Sequence, residues 1–284
     1  MARKALVIDP GSHKIGGCEL SEIESSTPRS FGLTFMPYEM VATTKTPALI
    51  IYLIDISQSM SGYLDGATKI DHVNQAIASI LQRMVQRSTK GEIVFPRYRL
   101  AMYAYSDTPM DMLGRIETIA EVVKRGQPKL SASQNTNSHA AFAVARDLLR
   151  RELPNLQGKP APMVCHLTDG EFNGQDPEPV AQEIMQMSNG DGNVLIENIY
   201  VGPNLFKHPV ADIENWVGIR SEDELQDPYA KKLFRMSSLL PPSYTDVIES
   251  EGYSLQAGSR MLIPCSNKDL IELAFTMSGA TPTH

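Results

Sequence analysis

The sequence predicts an α/β fold: a doubly wound, mostly parallel central sheet with one antiparallel edge strand and helices on both faces, preceded by an N-terminal β extension. Three observations predict it. The run Leu49 to Ile54 is apolar without polar alternation, which suits a strand buried on both faces of a parallel sheet. Similar runs recur downstream, alternating with segments whose apolar residues fall at helical spacing. The first run then breaks into Asp55, Ser57 and Ser59, small oxygen-bearing side chains at the carboxyl end of a strand, where open α/β sheets place their ligand sites.

Residues 1–45 are expected to form a β-rich extension, and 46–284 the main domain, with an insertion at about 204–257. In the extension, Ala5 to Ile8, Gly17 to Ile23 and Phe31 to Val41 are strand candidates separated by Gly, Ser and Pro. The segment from Val7 to Ser12 resembles the first phosphate loop of actin-like ATPases. No second phosphate loop or adenosine motif accompanies it, so it reads as a turn after a short strand.

In the main domain a Gly- and Ser-containing loop follows the first strand. From Lys69 to Arg87, Val73, Ile77, Ile80, Leu81, Met84 and Val85 share one helical stripe. Asp71 near the start and Arg83 and Arg87 near the end match the helix dipole. Tyr98 to Tyr105 is the next strand, and Ser106 to Pro109 a turn. Met110 to Ile119 is expected to return as the antiparallel edge strand. A polar loop, Ser131 to Ser138, leads into a helix from about His139 to Arg151. Met163 to Leu167 is a strand ending in Thr168-Asp169-Gly170, Pro179 to Met187 a helix, and Asn193 to Val201 a strand. Beyond Asn204 the periodicity weakens. Glu222 to Met236 reads as one helix that Pro241-Pro242 stops, Arg260 to Pro264 as a last strand, and Asn267 to Met277 as an amphipathic helix with Asn267 as its N-cap.

With 284 residues, 42% hydrophobic and 21% charged, the composition is that of a soluble globular protein. The net charge of −7 disfavours nucleic acid or an anionic membrane as the main partner. No apolar run has the length of a membrane span or of a signal-peptide core, so the cytoplasm is the expected location. Cys18, Cys165 and Cys265 are three and widely spaced, which suits reduced thiols better than a disulfide framework. Cys165, inside an apolar strand, reads as a small core residue.

Three strand-end loops carry hydroxyls or carboxylates: Asp55, Ser57 and Ser59; Thr136; and Asp169. Oxygens of this kind suit a hard divalent cation far better than a soft one. The set resembles the von Willebrand factor A (vWA) domain, whose metal-ion-dependent adhesion site uses Asp-x-Ser-x-Ser, a distant Thr and a later Asp. The resemblance covers roughly residues 46 to 202, with the last strand and helix near 260 to 278, and it implies a Rossmann-like vWA fold. It also implies bound Mg²⁺ (or Mn²⁺) and a protein partner that supplies an Asp or Glu to the metal. In that reading Ser57 and Ser59 are direct ligands, Thr136 becomes one when a partner is bound, and Asp55 and Asp169 act directly or through water. Many family members have Gly-Gly-Thr where this chain has Ser133 to Ser138, so Asn135, Asn137 or Ser138 are alternatives to Thr136. Gln58, Met60, Asn135, Asn137, His139 and Glu171 are the expected partner-binding rim. The chain looks most like bacterial intracellular, tellurite-resistance-type members, implying a regulatory or stress-defence module.

Two other readings compete. A Mg²⁺-dependent phosphohydrolase of the haloacid-dehalogenase type would carry Asp-x-Asp, but Ser57 stands in place of the second Asp and removes the general acid. Neither a P-loop nor a Gly-x-Ser-x-Gly nucleophile is present, so no enzyme activity is expected. The other is a metal-independent scaffold with the same fold. His72, His139, His166 and His208 are too scattered for a zinc site.

Overall fold

The computed structural model describes residues 37–279, apart from 65, 134, 203, 204, 209, 266–269, 271, 272, 275 and 276. The strand candidates Ala5 to Ile8 and Gly17 to Ile23, most of Phe31 to Val41, Cys18 and Asn267 lie outside the described residues. So does most of the expected C-terminal helix, of which Leu270, Leu273, Ala274 and Met277 are described as helical and buried.

The chain builds β1 (Ala48–Asp55), α1 (Lys69–Ser88), β2 (Tyr98–Tyr105), β3 (Pro109–Asp111), β4 (Glu117–Thr118), α2 (Ile119–Arg125), α3 (Ser138–Glu152), β5 (Met163–Thr168), α4 (Glu178–Gln186), β6 (Leu195–Tyr200), α5 (Pro228–Arg235), α6 (Pro242–Ser250) and β7 (Leu262–Pro264). The strands form one sheet in the order β7-β6-β5-β1-β2-β3, with β4 also pairing β2. The first five are mutually parallel, whereas β3 and β4 run antiparallel to β2 at the edge. This is the mostly parallel, Rossmann-like sheet that the apolar runs predict.

The first strand reads as an unbroken apolar run because both faces are covered. Ala48, Ile50, Tyr52 and Ile54 of β1 join a core with α1, α2, α6 and the C-terminal residues. Leu49, Ile51 and Leu53 face α3 and α4 on the other side. Burying a Leu or Ile side chain contributes roughly 1.5–3 kcal/mol, so β1, buried along its whole length, is the chief anchor of the sheet. Residues 205–234 enclose a smaller third core, with Leu205, Ile219, Leu225 and Phe234 packed on Tyr200 and Leu262.

Three elements depart from expectation. The edge is two short strands rather than one from Met110 to Ile119, because Asp111 Oδ1 accepts the N–H groups of Leu113 and Gly114 and turns the chain away. The helix expected over Glu222 to Met236 is a turn of 3₁₀ helix, Glu222–Glu224, followed by α5. Pro228 lacks the N–H a helix interior needs and starts α5 instead, with Asp227 capping Ala230 N–H. Pro241-Pro242 likewise begins α6 rather than ending a helix.

Candidate metal centre

Parallel register brings the site together. Ile54 lies opposite Leu167 and Asp55 opposite Tyr105, so the carboxyl ends of β1, β2 and β5 are level. Asp55 and Asp169 emerge side by side. Asp55 is fully buried and fixed at both oxygens: Ser57 N–H donates to Oδ1 at 2.8 Å and Thr168 Oγ1 donates to Oδ2 at 2.9 Å. Thr168 Oγ1 also accepts Gly170 N–H at 3.0 Å, so one hydroxyl braces both acidic loops. Burial pushes the Asp55 carboxyl up to about 7, and the Asp169 charge adds to the rise, while hydrogen bonds from Ser57 and Thr168 oppose it.

After Asp55 the chain makes a single 3₁₀ turn, Gln58–Ser61. The turn stacks Ser57 Oγ and Ser59 Oγ 2.9 Å apart on the carboxylate side. Met60 points the other way and is fully buried in the core, so it is not a rim residue: the 3₁₀ turn alternates inward and outward. Gln58 is exposed and bonds to Ser61 Oγ.

The third loop is stitched between the other two. Ser133 N–H donates to Ile56 O, Asn137 N–H to Ser106 O, and Asn173 N–H to Thr136 O. Thr136 is thereby buried between the first and last loops. Where a glycine would serve in a small-residue turn, Asn135 takes a left-handed φ of 40° and donates to Asp107 Oδ1 at 2.6 Å; Asn tolerates that region better than most residues. Asn137 is committed to capping α3 through Ala140 N–H, and buried Ser138 is 3.4 Å from Tyr105 Oη, so both of these alternatives to Thr136 are engaged by other partners. His139 bonds through Nδ1 to Asp176 O, and Glu171 is exposed.

Asp169 is 6% exposed, and its two oxygens differ. Oδ2 takes the Lys69 ammonium at 3.0 Å, whereas Oδ1 is buried with no hydrogen-bond partner among the described residues. An ionised oxygen left bare in the interior costs several kcal/mol, so it marks a position suited to a cation. The donor set, two carboxylates with Ser and Thr hydroxyls, is that of a hard, oxygen-preferring ion. Among the described residues no group of three or more His, Cys, Asp or Glu could hold a metal, so a site here has to draw on hydroxyls.

Beneath the site a buried chain runs from Tyr105 to α5. Tyr105 Oη and His166 Nε2 are 2.6 Å apart, His166 Nδ1 and Asn198 Oδ1 2.7 Å, and Asn198 Nδ2 donates to Ser237 Oγ at 2.9 Å. Burial drives His166 down to about 4, so the ring is neutral, and with both nitrogens taken up by Tyr105 and Asn198 it serves as a strut. Sequence reasoning missed Thr168 as a brace and Lys69 altogether. The readable signal for Lys69 was a cation in the first turn of a helix, where the dipole favours an acid.

Residues 50–171 match the model of the von Willebrand factor type A domain, so this span carries a vWA-type fold. No curated protein matches the chain. Solved structures similar to it include BatB from Bacteroides thetaiotaomicron, at 13% identity and a TM-score of 0.48, covering 81% of this chain and 96% of that one. An aerotolerance-related membrane protein from Bacteroides fragilis is 14% identical with a TM-score of 0.41, covering 82% and 89%. Proximal thread matrix protein 1 from the mussel byssus, in a form with a zinc-occupied MIDAS motif, is 14% identical with a TM-score of 0.48, covering 84% and 47%. These comparisons give no support to closeness with tellurite-resistance-type members. Among the described residues no helix is long and apolar enough to cross a membrane.

Proposed function

We propose that this chain is a divalent-cation-dependent interaction module of the cytoplasm, without enzymatic activity. In it Asp55, Ser57, Ser59, Thr136 and Asp169 hold Mg²⁺ or Mn²⁺, and a protein partner contributes an Asp or Glu. The observation that carries the reading is Asp169 Oδ1, buried beside a second buried carboxylate and unpartnered among the described residues. A divalent cation there would supply a Lewis-acidic position for an anionic oxygen.

The chain's own residues do the rest. Thr168 and the Ser57 N–H hold both oxygens of Asp55 in place at the site. Ser57 and Ser59 offer neutral oxygens from one turn, and the Asn173 bond holds Thr136 against the loop that carries Asp169. Ser57, standing where a second Asp would be, leaves that position without a general acid, which favours binding over hydrolysis.

The Lys69–Asp169 ion pair favours a second reading, a metal-independent scaffold in which the ammonium permanently balances the acidic site. The two are separated by a pull-down with the wild type and Asp169→Ala, each with Mg²⁺ and with EDTA, after circular dichroism has shown both to be folded. Capture by the wild type in Mg²⁺ alone supports the metal-mediated reading. Equal capture under all four conditions supports the scaffold.

A further inference from the structure

Resting on that metal reading, we propose that Lys69 is a built-in competitor for the metal, a tethered ammonium that occupies Asp169 in the metal-free protein and must be displaced when a divalent cation binds.

Four observations carry this. Lys69 Nζ is 3.0 Å from Asp169 Oδ2, with the side chains 18% and 3% exposed, so the pair is largely withdrawn from solvent screening. Lys69 opens α1, where a cation opposes the helix dipole. Its placement therefore adds nothing to helix stability. Asp71, capped through Thr68, meets the dipole's preference instead. The partner lies 100 residues away in sequence, so the contact is a tertiary feature of the site. Finally, the residue closes the base of a hairpin. Its N–H donates to Gly62 O, and Tyr63–Leu64 pairs with Ala67–Thr68 in between. The Lys69 stem runs beside Gly62, its Cε 3.9 Å from where a side chain would begin.

The charges explain the competition. Asp55 and Asp169, when ionised, total −2, and the ammonium reduces this to −1. A divalent cation drawn to the bare Asp169 Oδ1 then meets a like charge on the neighbouring oxygen of the same carboxylate. At such range, with partial burial, unit charges interact strongly enough to change an equilibrium about ten- to a hundredfold. Metal binding is thus weakened, and it is coupled to release of Lys69 at the base of a hairpin whose Tyr63 is 81% exposed.

The test compares Mg²⁺ affinity by calorimetry for the wild type, Lys69→Met and Lys69→Arg, with folding checked by circular dichroism. Lys69→Met is expected to bind Mg²⁺ about ten- to a hundredfold more tightly, and Lys69→Arg to stay within a few fold of the wild type. Without metal, Lys69→Met is expected to melt lower, and saturating Mg²⁺ to erase that difference. A second readout needs no variant: amine labelling read by mass spectrometry should show Lys69 of the wild type protected without Mg²⁺ and reactive with it. Equal affinity of wild type and Lys69→Met, or protection unchanged by bound Mg²⁺, overturns the competitor and leaves the metal site standing. Absence of Mg²⁺ binding in all three folded proteins overturns both.

Discussion

Glu197 lies in the middle of β6, fully buried, in a row with Cys165 of β5 and Tyr52 of β1. Its Oε2 is 3.4 Å from the Cys165 thiol, and its Oε1 has no hydrogen-bond partner among the described residues. No cation is paired with it among the described residues, and burial pushes its carboxyl up to about 8 from an ordinary 4.5. The folded state therefore holds a proton that the unfolded state releases above about pH 4.5. With more protons on the native side, stability falls as pH rises, by about 1.4 kcal/mol per unit, until the native carboxyl itself ionises near pH 8. The contribution is intact below the unfolded value and lost across that window. Replacing Glu197 with Gln keeps shape and polarity and removes the titration. Between pH 5 and pH 8, urea unfolding of wild type and Glu197→Gln should diverge by roughly 3–4 kcal/mol in favour of the variant, the other buried groups cancelling in the difference. Two curves that stay parallel within about 1 kcal/mol would show the carboxylate to be charged in the fold and would refute the reasoning.

His166 works in the opposite sense. Its ring is held down at about 4, so below pH 6.5 the unfolded state gains a proton that the native state refuses. Stability should then drop by about 2 kcal/mol between pH 7 and pH 4.5, and His166→Gln should flatten that limb in urea unfolding at the two pH values. Thr168→Val keeps the shape but strips a bond from Asp55 and one from Gly170 N–H; a loss of about 2–4 kcal/mol is expected in the same assay, and a loss under 1 kcal/mol would remove Thr168 as a brace. Asn135→Val forces a β-branched residue into left-handed backbone and should cost about 1–2 kcal/mol, whereas Asn135→Gly should cost less, both read from thermal melts.

Much of this architecture was legible because burial on both faces removes alternation. β1 appears in the sequence as an unbroken apolar run for that reason, and β2, β5 and β6 as mostly apolar ones interrupted by Arg99, by His166 and by Glu197-Asn198. The acidic loop after β1 was legible too, since a strand ending in Asp-x-Ser-x-Ser can point its polar groups only out of the sheet's carboxyl edge. What was misread shares a cause. Pro228 and Pro242 each open a helix, and a proline carries the same signature whether it ends one helix or begins the next; Asp227 before the first was the deciding cue. Met60 was misplaced because a 3₁₀ turn, unlike a strand, sends the residue after Ser59 back into the core. Lys69 left only the trace of a cation in a helix's first turn, and its partner was not legible, because a pair a hundred residues apart depends on the strand order, which no local pattern encodes.

The most direct test of the central claim is a calorimetric titration of the folded wild-type chain with Mg²⁺, repeated with Asp169→Ala. Saturable binding of one ion per chain, lost in the variant, is the predicted result. A wild type that takes up no Mg²⁺ and no Mn²⁺ would contradict the metal-dependent account and leave the Lys69–Asp169 pair as the site's permanent form.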